Sequence, residues 1–157
     1  MIEFKCILVP LDGSPLSERA LPVATELARK FESRVILLRV LDIPTPTVPT
    51  LHPEVIPSWV GEACKHAHQE AERYLNARQE ELCQQGFETQ VLLRDTLPAE
   101  DILDAAIAED VDLIVMSTHG RGGLARWTFG SVADKVARHS PCPVLLVRQN
   151  METVVES

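Results

Sequence analysis

The apolar residues of this chain fall into five short runs separated by amphipathic segments. The runs lie at Phe4 to Leu11, Arg34 to Leu41, Phe87 to Arg94, Asp112 to Met116 and Pro143 to Arg148. The first run is continuous rather than alternating, which is typical of a central strand buried on both faces of a parallel sheet. The pattern predicts five strands.

Helical patterns lie between the strands. Ser14 and Pro15 suit the N-cap and first position of a helix that runs to about Phe31. Its predicted buried stripe is Ala20, Ala24, Leu27, Ala28 and Phe31. A long helix from Ser58 to Gln85 is closed by Gly86. Its predicted inner face is Val60, Cys64, Ala67, Ala71, Leu75 and Leu82.

Two shorter helices complete the pattern. One starts at Pro98, runs to about Asp110 and turns Ile102, Ala105 and Ala106 inward; the other ends near His139. Strands that alternate with helices predict an α/β fold, a doubly wound five-stranded parallel sheet with right-handed crossovers. Ligands of such sheets bind beyond the carboxyl ends of the strands, where the strand order reverses.

Length and composition narrow the classes of protein. The 157 residues fit one domain, predicted at 1–149 with a loose tail at 150–157. A net charge of -8 disfavours a nucleic-acid partner. No apolar run approaches the length of a membrane span, and the amino terminus lacks the features of a signal peptide. The four cysteines form no C-x-x-C pair and indicate reduced thiols in a cytoplasmic protein.

The stretch from Asp42 to Pro57 holds five of the eleven prolines, which exclude a helix there. We expect either a plain connector or a lid.

A glycine-rich segment follows the fourth strand and leads into a helix. Residues 116–134 read M-S-T-H-G-R-G-G-L-A-R-W-T-F-G-S-V-A-D. The N–H groups at the start of a helix form a natural anion site, and Ser131 with Asp134 resembles a capping box. The segment therefore fits a phosphate-binding loop or an ordinary surface turn. The P-loop pattern and G-x-G-x-x-G are both absent.

The same segment resembles the nucleotide loop of the universal stress protein family, whose pattern is G-x2-G-x9-G-S/T. Gly120, Gly130 and Ser131 match at the right spacing, and Ser117 stands where the pattern has its first glycine. The resemblance covers nearly the whole chain. It implies a Rossmann-like sheet of the adenine nucleotide alpha hydrolase type, with strand order 3-2-1-4-5.

The resemblance also implies an adenine-nucleotide site. Asp12 would contact the nucleoside, Val40 the adenine, and Met116 and Ser117 the ribose, while the loop and the following helix would hold phosphates. The implied site residues are Pro10, Asp12, Val40, Met116, Ser117, His119, Gly120, Arg121, Gly130, Ser131 and Val132. ATP is the expected ligand, with AMP or ADP as alternatives and Mg²⁺ as a companion ion.

Enzymatic chemistry finds little support in the sequence. Asp12 is the single candidate carboxylate at the crevice, and slow ATP hydrolysis is the most that we expect. His119 is a weak candidate acid or base. Cys64 and His68 lie one helical turn apart, but His66 points elsewhere, and two ligands do not make a zinc site.

Two functions stay open. The first is an ATP-binding stress-response regulator. The second is a family member that binds no nucleotide and acts as a homodimeric interaction module. The last strand is apolar and would lie at a sheet edge, and the resembled family dimerises through it, so we expect a homodimer contact at Val144 to Val147. An ATP pyrophosphatase is disfavoured, because D-G-S-P follows the first strand instead of an S-G-G-x-D-S loop.

Overall fold

The computed structural model describes residues 1–42, 58–118 and 130–148, in which strands and helices alternate. The elements in chain order are β1 (Cys6–Leu11), α1 (Pro15–Glu18), α2 (Ala20–Phe31), β2 (Arg34–Val40), α3 (Ser58–Gln84), β3 (Thr89–Arg94), α4 (Pro98–Ala108), β4 (Leu113–Ser117), α5 (Ser131–His139) and β5 (Val144–Val147). All five predicted strands are present. The predicted tail and the proline-rich stretch lie outside the described residues, except for Asp42.

The strands form one parallel sheet in the order β3-β2-β1-β4-β5, which confirms the expected doubly wound topology. β1 is central, and its whole length pairs with β2, Val9 lying opposite Leu37. The β1–β4 ladder is shorter and consists of Ile7 with Leu113 and Leu8 with Ile114. The strand order reverses between β1 and β4, so the carboxyl ends of these two strands flank the expected crevice.

Two hydrophobic cores sandwich the sheet, because successive side chains of a strand point to opposite faces. Leu8 and Ile36 pack on the face covered by α4 and α5. Their neighbours Val9 and Leu37 pack on the other face, covered by α2 and α3. This two-sided burial explains why β1 and β2 read as continuous apolar runs.

The predicted helix ends are confirmed at two turns. The Oγ of Ser14 accepts the N–H of Ser17 at 3.2 Å as the N-cap of α1. Gly86 follows α3 with φ +91, and the N–H of Phe87 donates to the carbonyl of Leu82 at 3.0 Å. Glycine closes α3 because this left-handed conformation is costly for residues with a Cβ.

One predicted helix is divided. The segment from Pro15 to Phe31 forms two helices with a turn at Arg19 between them. Pro22 lacks the N–H that would bond to the carbonyl of Glu18, and its ring crowds that carbonyl, so a continuous helix is unfavourable there.

The predicted stripe of α2 is confirmed at Ala20, Ala24 and Ala28, which are buried. Phe31 was expected to be buried and is 36% exposed, so that prediction is wrong. It lies in the last turn of α2, where its ring packs edge-to-face with that of Phe4, the ring centroids being 5.1 Å apart, instead of entering the core.

The inner face of α3 is buried where the helix covers the sheet. Ala71, Leu75 and Leu82 are buried, whereas Val60 and Cys64 nearer the amino end are partly exposed. In α4, Ile102, Ala105 and Ala106 point into the core as predicted. Among the described helices, none combines the length and apolar character needed to cross a membrane.

Candidate functional site

The turn after β1 is held by a compact set of hydrogen bonds. The Oδ1 of Asp12 accepts the N–H of Ser14 at 2.8 Å, and the N–H of Asp12 donates to the Oγ of Ser17 at 3.2 Å. That hydroxyl donates in turn to the carbonyl of Ser14 at 2.9 Å. Gly13 adopts φ +83, which a residue with a Cβ rarely adopts. The turn therefore fixes one carboxylate oxygen of Asp12 at the carboxyl end of β1.

The end of β4 and the start of α5 are joined through Thr118. The N–H of Thr118 donates to the carbonyl of Val147 at 3.1 Å, and its own carbonyl accepts the N–H of Gly130 at 2.9 Å. Thr118 is only 4% exposed. This geometry brings the amino terminus of α5 to the carboxyl end of β4, beside the crevice.

The amino terminus of α5 differs from the predicted capping box. Gly130, not Ser131, is the N-cap, and glycine has no side chain with which to cap the helix. The first helical hydrogen bond runs from the N–H of Asp134 to the carbonyl of Gly130, and the Asp134 carboxylate binds Arg138 at 3.0 Å. Ser131 is thus the first helical residue, where its hydroxyl is misplaced for capping. The N–H groups of residues 131–133 precede the first intrahelical bond.

The structure brings all eight described candidate residues to the edge of the sheet where the strands have their carboxyl ends. Pro10 lies near the end of β1, Asp12 directly follows that strand, and Val40 ends β2. Met116 and Ser117 end β4, and the remaining described candidates, Gly130, Ser131 and Val132, open α5.

The environments of these candidates differ. Met116 is buried in the core below α4 and α5, and Val40 and Val132 pack against the same core. Ser131 is exposed. His119, Gly120 and Arg121 lie outside the described residues.

A buried arginine beneath the Asp12 turn was missed by the sequence reasoning. Arg39 belongs to β2 and is only 7% exposed. Its guanidinium lies over the ring of Tyr74 at 5.1 Å, on the face covered by α3. A Cβ built on Gly13 would lie 3.2 Å from three guanidinium atoms of Arg39. The available signal was a charged residue in a strand otherwise patterned for burial on both faces.

Tyr74 links this arginine to α1. Its hydroxyl donates to Oε1 of Glu18 at 2.7 Å, and the same carboxylate oxygen lies 3.7 Å from Arg78. Burial, and then the bond to Glu18, raise the pKa of Tyr74 well above its ordinary value. Ionisation would place a second negative charge beside Glu18, so the neutral phenol is favoured.

His68 of α3 contacts the helix backbone and a carboxylate. Nδ1 of His68 lies 3.0 Å from the carbonyl of Cys64, and its Nε2 lies 3.4 Å from Asp95. Within ranges 1–42, 58–118 and 130–148, no three His, Cys, Asp or Glu side chains are grouped to hold a metal.

All four cysteines are free thiols. Burial raises the pKa of Cys6 and of Cys142 and so favours their protonated forms.

Sequence comparison identifies the family. The family model described as "Universal stress protein family" matches residues 3–148. The chain belongs to the universal stress protein family. A universal stress protein of Thermus aquaticus is 36% identical over 151 residues, covering 92% of this chain and 99% of that protein. Another, from Methanocaldococcus jannaschii, is 33% identical over 148 residues, covering 93% of this chain and 83% of that protein.

Solved universal stress proteins share the fold. UspA of Lactobacillus plantarum superposes with a TM-score of 0.78 at 25% identity, covering 93% of this chain and 99% of that one. Two more distant structures carry nucleotides. A universal stress protein of Archaeoglobus fulgidus is in complex with dAMP, at 23% identity and a TM-score of 0.62, covering 93% of this chain and 98% of that one. Another is in complex with cAMP, at 21% identity and a TM-score of 0.59, with the same coverage of each chain.

Proposed function

We propose that this universal stress protein binds an adenine nucleotide between the carboxyl ends of β1 and β4 and acts as a stress-response regulator. One observation carries the proposal. The Thr118–Gly130 bond sets the amino terminus of α5, ahead of its first intrahelical hydrogen bond, beside the point where the strand order reverses. A helix amino terminus attracts anions such as phosphate, and doubly wound sheets bind ligands at that point.

The roles of the site residues follow their places in the fold. Asp12 would accept a hydrogen bond from the nucleoside, and Pro10 and Val40 would line the base. Met116 and Ser117 would lie along the ribose.

The phosphates would meet backbone N–H groups of α5. Gly130, Ser131 and Val132 would supply these contacts, and His119, Gly120 and Arg121 would complete the loop. ATP is the proposed ligand, with AMP and ADP as alternatives. The dAMP and cAMP complexes of the two distant relatives support adenine recognition in particular.

Binding rather than turnover fits the described residues. Mg²⁺ accompanying ATP usually takes its oxygens from phosphates, water and one or two carboxylates. The carboxylate considered for this role is that of Asp12, which directly follows β1, and one of its oxygens already accepts the N–H of Ser14. Slow hydrolysis is therefore the upper limit of the proposal. A nucleotide would regulate the protein only if it bound two conformations with different affinity. We also propose that the protein is cytoplasmic and binds no nucleic acid.

The decisive experiment looks for the nucleotide itself. Freshly purified protein is denatured, released nucleotides are identified by mass spectrometry, and uptake of ATP and AMP is measured by calorimetry. Gly130→Val should abolish uptake by filling the space that phosphate needs. Gly130 has φ -57 and ψ 150, a conformation open to valine, so the change tests space rather than backbone geometry.

The matched control is Gly61→Val in α3, where nothing lies within 4 Å of an added Cβ. We expect this variant to behave as wild type. A native protein that is empty and takes up neither nucleotide would refute the proposed site.

A second function is favoured by the edge of the sheet. β5 is an edge strand, and Leu145 in its middle is 38% exposed. Exposed apolar edges invite pairing with another chain. We therefore also propose a homodimer through Val144 to Val147, which would be the functional surface if no nucleotide is bound.

A further inference from the structure

Arg39 occupies a position of β2 where an apolar residue would pack into the hydrophobic core. Its strand neighbours Val35 and Leu37 point to the same face and are fully buried. None of the ion pairs among the described residues includes Arg39. Burying a charge without a carboxylate partner is costly, and apolar replacements of buried ionic groups are often neutral or stabilising. The stability of the core therefore does not explain this arginine.

The contacts of Arg39 point instead to the turn after β1. Its guanidinium carbon lies over the Tyr74 ring, 5.1 Å from the ring centroid, and this cation–π contact favours that position of the group. The group lies directly against Gly13, as the 3.2 Å approach to a Cβ built there demonstrates. Gly13 separates Asp12, whose carboxylate accepts the N–H of Ser14, from Ser14 itself. Arg39 thus packs against the turn that carries Asp12.

Arg39 is connected through Tyr74 to two helices. Tyr74 belongs to α3, and its hydroxyl binds Glu18 of α1 at 2.7 Å. Arg78 lies on the same ring at 5.9 Å and 3.7 Å from the same carboxylate. Movement of Arg39 would disturb contacts on both helices, which limits the conformations open to the turn.

We propose that Arg39, held by Tyr74, is a positioning residue that fixes the Asp12–Gly13–Ser14 turn for recognition of the nucleoside. The inference rests on the proposed nucleotide site and adds a residue that touches no ligand. Arg39 acts through Gly13. Its loss should leave folding largely intact and lower nucleotide affinity, because the turn would spend less time in the competent geometry.

The first test compares two arginines that stack on aromatic rings. Arg39→Met removes the charge and the planar group. Arg29→Met is the control, since Arg29 lies over Phe87 at 5.3 Å near the amino end of the sheet. If the turn of Arg39→Met is competent about a tenth of the time, its apparent Kd for AMP or ATP rises about tenfold. Arg29→Met should bind as wild type, and Arg39→Lys should fall between wild type and Arg39→Met.

The second test is a double-mutant cycle on Gly13 and Arg39. Gly13→Ala should weaken binding both through its positive φ and through contact with the guanidinium. Arg39→Ala makes room, so the double variant should lose less affinity than the two single losses combined. Gly86→Ala is the control for the backbone term, because Gly86 has φ +91 and nothing within 4 Å of an added Cβ. Fully additive losses of affinity would contradict the coupling of Arg39 to the turn through Gly13.

A third measurement follows the turn without ligand. Hydrogen exchange of the Ser14 N–H, which donates to Asp12, should be faster in Arg39→Met than in Arg29→Met. If Arg39→Met binds nucleotide as tightly as wild type does, this inference is wrong and the proposed function stands. A wild type that binds no nucleotide would overturn both. If Arg39→Met fails to fold, Arg39→Lys decides the matter by the same comparison.

Discussion

The backbone N–H of Gly130 donates to the carbonyl of Thr118 at 2.9 Å, so the chain leaves β4 and enters α5 at neighbouring points. Residues 119–129 are bracketed by this bond. Its strength can be tested with proline, which adopts the φ of -57 observed at Gly130 but lacks the N–H and turns its ring towards the Thr118 carbonyl.

We expect Gly130→Pro to lower the free energy of unfolding by at least about 1 kcal/mol, the net value of one hydrogen bond, because the proline ring also crowds the carbonyl that accepted it. Trypsin cleavage at Arg121 and Arg126 should become faster, because the two ends of the bracketed segment are less firmly joined. Gly130→Ala keeps the N–H and is the control. Equal cleavage rates in the two variants would show that the bond does not restrain the segment.

Asp112 anchors the amino end of β1 to the segment before β4. Its Oδ2 accepts the N–H groups of Lys5 and Cys6, each at 2.9 Å. Asp112→Ala leaves both donors without this acceptor, and we expect a loss of about 2 kcal/mol in urea unfolding. Asp104→Ala, at an exposed position of α4, should change stability little. A loss no larger than that of the control would mean that water replaces the carboxylate without cost.

The phenol of Tyr74 should lose its proton only at a pH well above the ordinary pKa of tyrosine. The measurement is direct because the chain has a single tyrosine. Burial, followed by the bond to Glu18, raises the pKa of Tyr74. The ultraviolet absorbance of phenolate should therefore stay low well above about pH 10, the ordinary value, until the protein unfolds. A phenolate signal that rises near that ordinary value in folded protein would contradict this environment.

The same shift makes stability depend on pH. The folded-state pKa of Tyr74 lies above the unfolded value, so its contribution is complete below about pH 10 and is lost as pH rises towards the folded pKa. Tyr74→Phe should be less stable at neutral pH and should show a shallower alkaline decline than wild type. Cys6 and Cys142 contribute their own decline above about pH 9 in both proteins.

The proposed dimer can be tested at its exposed apolar residue. Leu145→Lys should shift sedimentation towards monomer, because it places a charge on the edge strand without entering the core. Leu146 packs against the core, so its replacement would confuse assembly with folding. Ile107→Lys is the control, since Ile107 is 64% exposed on α4. If the wild type sediments as a monomer, the proposed dimer does not form. If Leu145→Lys remains a dimer, the contact lies elsewhere.

The sequence by itself determined the elements and much of the topology. Continuous apolar runs marked β1 and β2, Ser14 and Gly86 marked helix ends, and alternation of strands with helices required a parallel sheet. These signals are local, because a strand, a cap or an amphipathic face is encoded by residues close together in the chain. The strand order and the residues of the crevice came from a family pattern spread over residues 117–131.

Tertiary structure alone decided which distant residues meet. Nothing near Arg39 in the sequence indicated that its guanidinium would lie against Gly13 and stack on Tyr74. The hydrogen bond from the Gly130 N-cap to the Thr118 carbonyl likewise joins residues of two different elements. Such contacts depend on how strands and helices pack in three dimensions, and hydrophobic periodicity carries no record of which side chains that packing brings together.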